Sequence, residues 1–247
     1  GAPNDASQIK PSAYACVKIA ASDVVYDCAG YNITYDGSTP LGAEFYGVLL
    51  NGSIRNVTVK NCPAVANYTA GIYLYGSNSS LVANSSMTDN TYGIYLDGGY
   101  NNTIIGSASF NNSQYGLYLN GSLSNNLTGN NMTYNAVGGI RFDLASTSGT
   151  LASNLICWNG MDLYNQGSSN TGRLDRCDSF MSWSENGHFG CEFSCSDLWH
   201  RFFGDTESQL VLRDNSSDMR FYYWNATAFN IFMADMDSQI HWQSLQA

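Results

Sequence analysis

A repeat of about 23 residues runs through the first two thirds of this 247-residue chain. A short Gly-containing apolar motif recurs at residues 46–50, 70–74, 92–96, 115–119 and 138–142, and its glycines are 24, 22, 23 and 23 residues apart. A unit of this length cannot bury its own apolar face and must stack on its neighbours. The period therefore predicts a solenoid in which every coil packs on the next.

The residues within each repeat favour short strands over helices. Residues 46–160 are rich in Gly, Asn, Ser, Thr and Tyr, and apolar residues alternate in strand fashion, as at residues 71–75. The Leu/Asn consensus of leucine-rich repeats is absent. Because Gly tolerates the left-handed backbone of sharp corners, we expect five glycines to stack at one corner: Gly47, Gly71, Gly93, Gly116 and Gly139. We predict an all-β parallel β-helix of six to seven coils, rising ~4.8 Å per coil.

The recurring motif resembles a known family. Tyr-Gly-Ile-Tyr-Leu at residues 92–96, followed by Asn-Asn-Thr-Ile at residues 101–104, is similar to the NosD-like right-handed parallel β-helix family, the "carbohydrate-binding and sugar hydrolase" repeat. Residues 24–33 resemble that family's first full coil, and the similarity covers roughly residues 14–165. The resemblance implies the fold, and it implies a cell-surface protein of archaeal type. It leaves the activity open, because one fold hosts many functions.

The period predicts four regions. Residues 1–13 form an N-terminal segment, and residues 14–172 form the β-helix. Residues 173–200 read as a Cys-rich cap, which a solenoid needs because its last coil exposes an open strand edge. Residues 201–247 form a β-rich module, with strands expected at 209–213, 219–224, 229–233 and 239–242. This module either packs on the solenoid as a lid or adds strands to a neighbouring molecule.

Seven cysteines indicate an oxidising compartment. Cys28 and Cys62 follow equivalent strands, so they are expected on adjacent coils within disulfide reach. Cys157 and Cys177 are about one coil apart, and Cys191 and Cys195 could close a small loop. Cys16 is then left over and could link two chains.

Other arrangements of the cysteines stay open. Cys16 could take Cys28 and leave Cys62 free, or the cysteines could be buried thiols that pack as small apolar residues. Four residues are of the types that bind zinc, namely Cys177, His188, Cys191 and Cys195. Disulfides are the favoured interpretation. We expect no metal site and no cofactor.

The net charge of −10 argues against nucleic acid and anionic membranes as partners, and no apolar run is long enough to span a membrane. Only 12% of residues are charged. Thirteen Asn-X-Ser/Thr acceptor sites predict N-linked glycans that would supply solubility, although an Asn-rich chain also produces such triplets by chance. The acceptors are Asn32, Asn51, Asn56, Asn67, Asn78, Asn84, Asn101, Asn111, Asn120, Asn126, Asn131, Asn215 and Asn225.

Catalytic residues are sparse in the repeat region. Asp97 and Asp143 are two coils apart, or ~10 Å along the stack, a spacing that an inverting glycosidase could use. Asn120 occupies the coil between them, so turn-capping aspartates are the favoured interpretation. A column of Tyr73, Tyr95 and Tyr118 could bind sugars or a partner chain, or could only cover the sheet.

The sequence predicts a non-enzymatic, secreted, N-glycosylated protein at the cell surface or outside the cell. We expect it to assemble with copies of itself into a filament, sheath or surface layer, since end-to-end contacts that do not close a ring make filaments. One alternative is a monomeric carbohydrate-binding adhesin. The other is a polysaccharide lyase or hydrolase.

Overall fold

The computed structural model describes residues 14–36, 44–195, 218–225, 228–235 and 240–245. The chain divides into two compact units, Gly1–Cys195 and Ser196–Ala247. Within the described residues, no helix is both long and apolar enough to cross a lipid bilayer.

The first unit is built from short strands. Those of the early coils are β1 (Tyr14–Ile19), β2 (Val25–Asp27), β3 (Ile33–Thr34), β4 (Phe45–Asn51), β5 (Thr58–Lys60), β6 (Val65–Ala66), β7 (Ala70–Tyr75), β8 (Leu81–Ala83) and β9 (Ser86–Thr88). Those of the middle coils are β10 (Tyr92–Asp97), β11 (Thr103–Ile105), β12 (Ala108–Phe110), β13 (Tyr115–Asn120), β14 (Asn126–Thr128), β15 (Asn131–Thr133), β16 (Gly138–Phe142), β17 (Thr150–Ala152), β18 (Leu155–Cys157) and β19 (Leu163–Asn165). The unit ends with β20 (Thr171–Arg173), β21 (Phe180–Met181), β22 (Ser184–Glu185) and β23 (His188–Phe189).

These strands stack into three parallel sheets. Sheet A has the order β1-β4-β7-β10-β13-β16-β19-β21, sheet B the order β2-β5-β8-β11-β14-β17-β20, and sheet C the order β3-β6-β9-β12-β15-β18. Each complete coil contributes one strand to each sheet, so the chain forms a right-handed parallel β-solenoid of about six turns. The predicted all-β parallel β-helix is confirmed. Sheet A continues to Met181, beyond the predicted end of the β-helix at residue 172.

The core lies inside the coils, because the register stacks apolar residues in columns. In sheet A, Ile72 aligns with Ile94 and Leu117, and all three are fully buried. Sheet B aligns Val82 with Ile104 in the same way. Each coil thus closes the apolar surface of its neighbour, which explains why one repeat alone would not be stable.

The five glycines do stack, but not at a corner as expected. They lie inside the strands of sheet A, where their φ values are not positive. A side chain does not fit there: a Cβ on Gly93 would stand 1.7 Å from Ser109 Oγ and 2.6 Å from Gly116 O. The left-handed corners carry mostly Asn, Ser and other glycines, for example Asn101 with φ 55° and Gly98 with φ 71°.

Polar side chains form ladders inside the corners. The amide oxygens of Asn112 and Asn135 accept the backbone N–H of Asn90 and Asn112, respectively, at 3.0 and 3.1 Å. The same pattern continues to Asn159, whose Oδ1 accepts Asn135 N at 2.9 Å. A second ladder between sheets B and C runs through Ser85, Ser107, Asn130 and Asn154 and reaches Asp175. The repeat therefore satisfies its buried backbone groups with neutral side chains.

Three disulfides staple the first unit. Cys28 pairs with Cys62, with Cα atoms 4.8 Å apart, which is the first of the two arrangements that the spacing allowed. The structure pairs Cys157 with Cys195 and Cys177 with Cys191.

The expected bonds Cys157–Cys177 and Cys191–Cys195 are therefore wrong. Leu155 aligns with Arg176, so Cys177 lies beside Ile156 rather than Cys157. In strands, a shift of one residue places a side chain on the opposite face, and residue counting does not detect such a shift.

The second unit contains an antiparallel sheet of three strands, β24 (Asp218–Asn225), β25 (Ala228–Asp235) and β26 (Ile240–Leu245). They overlap three of the four expected strands. The fourth, at residues 209–213, lies outside the described residues, as do residues 1–13.

Candidate functional site

The outer face of sheet A carries a stacked column of tyrosines. Tyr73, Tyr95 and Tyr118 are in register on β7, β10 and β13, and their neighbours Ile72 and Ile94 point into the core. The ring centroids of Tyr73 and Tyr95 are 4.9 Å apart, and those of Tyr95 and Tyr118 are 5.1 Å apart, with nearly parallel planes. The predicted ladder therefore exists.

A second column of tyrosines, which the sequence analysis did not single out, widens this face. Tyr92 and Tyr115 directly precede the repeat glycines of β10 and β13, and their ring centroids are 6.3 Å apart. The ring centroids of Tyr92 and Tyr118 are 5.8 Å apart, so the two columns form one continuous aromatic surface. The signal was present in the sequence, because a Tyr precedes the glycine in several repeats.

Arg141 occupies the tyrosine column one coil after Tyr118. Its guanidinium carbon lies 5.2 Å from the ring centre of Tyr118 and 5.1 Å from that of Tyr164, distances typical of cation–π contacts. Its Nη1 donates to Tyr115 Oη at 2.7 Å, and its Nη2 donates to Gln166 Oε1 at 3.3 Å. Its Nε is buried without a hydrogen-bond partner. This cation therefore sits among aromatic rings with one donor atom unused.

The two aspartates considered for catalysis have structural partners. Asp97 accepts hydrogen bonds from Tyr73 Oη at 2.7 Å and from Asn120 Nδ2 at 2.9 Å. Asp143 accepts from the backbone N–H of Gly121 at 3.0 Å and from Ser146 Oγ at 2.7 Å. Both carboxylates thus hold turns and neighbouring side chains in place.

Burial divides the face into a closed part and an accessible part. Tyr46 and Tyr73 are 1% and 0% exposed, whereas Tyr92, Tyr95 and Tyr118 are half-buried. Burial, with the hydrogen bond to Asp97, raises the pKa of Tyr73 well above its ordinary value. Tyr73 is therefore a neutral, closed-off residue that a ligand cannot reach. The accessible part consists of Tyr92, Tyr95, Tyr118, Arg141 and Tyr164.

A separate aromatic pair lies on the corner between sheets C and A. The rings of Tyr134 and Trp158 stack at 5.4 Å, and both side chains are exposed. Both residues have positive φ, in a column where the three preceding coils carry Asn67, Asp89 and Asn111. Bulky residues rarely adopt this backbone, so periodicity gave no reason to expect them.

The glycan acceptor sites differ in accessibility. Eight of the acceptor asparagines are exposed: Asn32, Asn56, Asn67, Asn84, Asn101, Asn111, Asn126 and Asn131. Asn78 and Asn120 are half-buried, and Asn51 is only 3% exposed, so this structure has no room for a glycan on Asn51. Asn215 and Asn225 lie outside the residues whose side chains are described.

The backbone of the corners gives a second reason, besides glycosylation, for Asn at several of these acceptor sites. Five of the exposed acceptors have left-handed backbone, which Asn tolerates better than most residues: they are Asn56, Asn67, Asn84, Asn101 and Asn111.

The cysteines are placed for bonding rather than for metal. Cys177, Cys191 and Cys195 are all in disulfides, so the zinc alternative with His188 fails. The described residues contain no group of three or more His, Cys, Asp or Glu side chains that could hold a metal ion. Cys16 is exposed on β1 and is not in a disulfide.

Comparison with known proteins shows which family the chain resembles. The family model described as "Periplasmic copper-binding protein (NosD)" matches residues 17–174. No curated protein matches the chain. Among solved structures, the crystal structure of pectate lyase Pel9A is similar, with a TM-score of 0.42 and 16% identity over 68% of this chain. The chain spans about half, 53%, of that structure.

Proposed function

We propose that this chain, which belongs to the NosD family, is a secreted structural β-solenoid. It would assemble with copies of itself into an extracellular filament, sheath or surface layer. Three disulfides support a place outside the cytoplasm, since such bonds persist in oxidising compartments. They lie in the first coils and in the last, where a stack of coils has a neighbour on one side only.

The observation that carries the assembly proposal is the position of Cys16. Within the described part of the chain, β1 pairs with β4 alone, so it is an edge strand of sheet A. Cys16 is exposed on this strand, and its thiol is within hydrogen-bond reach of Tyr68. A thiol at one end of a rod can join the ends of two molecules, and strand edges favour such contacts. Residues 201–247 would supply the contact that extends the assembly.

N-linked glycans belong to the same proposal. The eight exposed acceptor asparagines are spread over successive coils, so glycans there would surround the rod with polar groups. This would offset the low charge of the surface, since only 12% of all residues are charged. Peptide mass spectrometry before and after enzymatic deglycosylation measures which sites are occupied.

Copper and catalysis are not part of the proposal. Copper is bound by His, Cys or Met side chains. Met87 and Met132 are fully buried in the core, and six cysteines are in disulfides. The exposed Cys16 and Met181 lie on the first and last strands of sheet A, too far apart to share a metal ion, so the described side chains do not fit a copper site. The carboxylates of Asp97 and Asp143 accept hydrogen bonds from Tyr73 and from residues of the turns. If the chain nevertheless cleaved a polysaccharide and Asp97→Asn or Asp143→Asn abolished that activity, the structural proposal would be wrong.

Negative-stain electron microscopy and non-reducing gel electrophoresis of the native protein test the assembly. We expect regular filaments or sheets and a disulfide-linked dimer band. Cys16→Ser should remove the dimer band, whereas Lys18→Ser, exposed on the same strand, should keep it. Only dispersed monomers in the wild-type protein would contradict the proposal, and normal filaments after deletion of residues 201–247 would exclude that segment.

The accessible tyrosines favour carbohydrate binding as a second candidate function. Aromatic faces stack on sugar rings, and the partly exposed Arg141 places a cation beside Tyr118. A glycan array, followed by calorimetry with any ligand found, tests this function. Tyr118→Ala should weaken binding at least tenfold, and Tyr134→Ala, which removes an exposed aromatic elsewhere, should not.

A further inference from the structure

The ladder between sheets B and C ends in two buried carboxyl groups. Asn130 and Asn154 occupy successive coils of this ladder, and Asp175 takes the next position. Glu185 lies beyond it, and its Oε2 accepts the backbone N–H of Asp175 at 3.3 Å. Asp175 and Glu185 are 0% and 1% exposed.

Three of the four carboxyl oxygens have donors. Asp175 Oδ1 accepts from Asn154 N and Nδ2 at 2.7 and 2.8 Å. Glu185 Oε1 accepts from Trp183 Nε1 at 2.8 Å, and Glu185 Oε2 accepts from Glu192 N at 2.9 Å. Asp175 Oδ2 is buried without a donor. A buried carboxylate oxygen in this situation is costly unless it carries a proton.

The orphaned oxygen faces the second carboxyl group. A Cβ placed on Gly172 would be 2.6 Å from Glu185 Oε1 and 2.8 Å from Asp175 Oδ2, so both oxygens converge on one small space. Two carboxylates this close and this buried cannot both be ionised. One proton on Asp175 Oδ2 would turn that atom into a donor toward Glu185.

The charged side chains described near the pair face solvent or have other partners. Arg173 is exposed on β20, and Arg176 stacks on Phe193 and donates to Ser194 O. The Glu192 carboxylate accepts from Leu174 N and Asn186 Nδ2. His188 is the cross-strand partner of Glu185 in the β22–β23 hairpin.

We propose that Asp175 and Glu185 form a proton-binding site in which one shared proton closes the C-terminal end of the solenoid. Burial, then the hydrogen bond and charge of Glu185, raise the pKa of Asp175 to about 8, against the contacts with Asn154 that lower it. The folded protein therefore holds a proton that the unfolded chain loses above pH ~4. The stability that this proton contributes is complete below pH ~4, falls as the pH rises, and is lost above pH ~8.

Asp175→Asn tests the site, because an amide supplies a permanent donor and repeats the residue of Asn130 and Asn154. Urea unfolding between pH 4 and 8 should show the wild type losing stability relative to this variant by up to tenfold in the unfolding constant per pH unit. Asp178→Asn makes the same chemical change at an exposed carboxylate of the same segment, and it should follow the wild type. Parallel pH profiles for wild type and Asp175→Asn would overturn the proposal.

Infrared spectroscopy of the folded protein gives a readout that does not depend on the stability of a variant. The wild type at pH 6 should show the carbonyl band of a buried protonated carboxyl group, and the band should disappear near pH 8. Asp175→Asn should lack it, and His188→Gln should retain it. A wild-type spectrum without this band at pH 6 would refute the shared proton even if Asp175→Asn failed to fold.

Discussion

The middle coils and the C-terminal end of the solenoid differ in the chemical groups that connect one coil to the next. In residues 70–165, mainly neutral amides and hydroxyls bridge each coil to the next, as Asn112 does between Asn90 and Asn135. In residues 171–195, buried carboxyl groups and two disulfides take over. Within the described residues, a middle coil has neighbouring coils on both sides, whereas the last coil has a neighbour on one side only. Neutral side chains predominate where the repeat continues, whereas buried carboxyl groups and disulfides hold the coils where it ends.

Gly93→Ala should break the middle coils with the largest effect. Its Cβ would stand 1.7 Å from Ser109 Oγ and 2.6 Å from a backbone oxygen, so the stack must open. We expect a loss of more than about 4 kcal/mol or no folding at all. Circular dichroism with urea unfolding measures it.

Gly98→Ala is the matched control for that change. Gly98 has φ 71° and no atom within 4 Å of an added Cβ, so only the left-handed backbone resists the change. The expected cost is about 1 kcal/mol. Equal losses at the two glycines would contradict the close-approach argument.

Asn112→Asp would place a buried carboxyl group in a middle coil, as Asp175 does at the C-terminal end. The new carboxylate oxygen would replace an amide that donates to Ser109 Oγ and Asn135 Oδ1, so it would be buried against acceptors. We expect a loss of about 3 kcal/mol at pH 7, since a charge without donors costs more than a lost hydrogen bond.

The loss should shrink at low pH, where the carboxyl is protonated. Asn111→Asp, at the exposed neighbouring residue, should change stability by less than about 0.5 kcal/mol. A loss at position 112 that did not depend on pH would mean that packing, not charge, decides.

Removing the bond between Cys157 and Cys195 should weaken the end and spare the middle. The double change Cys157→Ser and Cys195→Ser opens a loop with a sequence separation of 38 residues, and such losses cost about 2–5 kcal/mol. Hydrogen exchange should accelerate in residues 171–195 and remain slow in β10 and β13. Uniform acceleration along all coils would show that the two regions unfold as one.

Apart from the control variants, Arg141→Ala should have the smallest effect on stability. The guanidinium is partly exposed, and its contacts with Tyr118 and Tyr164 are worth about 1 kcal/mol. Arg141→Lys keeps the charge but loses the hydrogen-bond fork, so it separates charge from geometry. A loss of several kcal/mol would assign Arg141 to the fold rather than to the accessible face.

Part of the candidate face could be predicted from the sequence. The tyrosines at 73, 95 and 118 follow the period of the coils, and in a parallel stack equal positions lie above one another. The second column with Tyr92 also follows the period, since a Tyr precedes the glycine in several repeats. The closure of Tyr73 and the contact of Arg141 with three rings could not be predicted, because they depend on burial and rotamers. The corner pair of Tyr134 and Trp158 departs from the Asn and Asp of the preceding coils.

The sequence by itself determined the solenoid, its period and the alignment of its columns, since a repeat that cannot bury its apolar face alone has to stack. Tertiary structure alone decided the disulfides of the end, where a shift of one residue moved Cys177 away from Cys157. It also brought Asp175 to Glu185, ten residues later in the chain. The physical reason is the loss of periodicity: once the repeat stops, the path of the backbone depends on contacts that spacing does not encode.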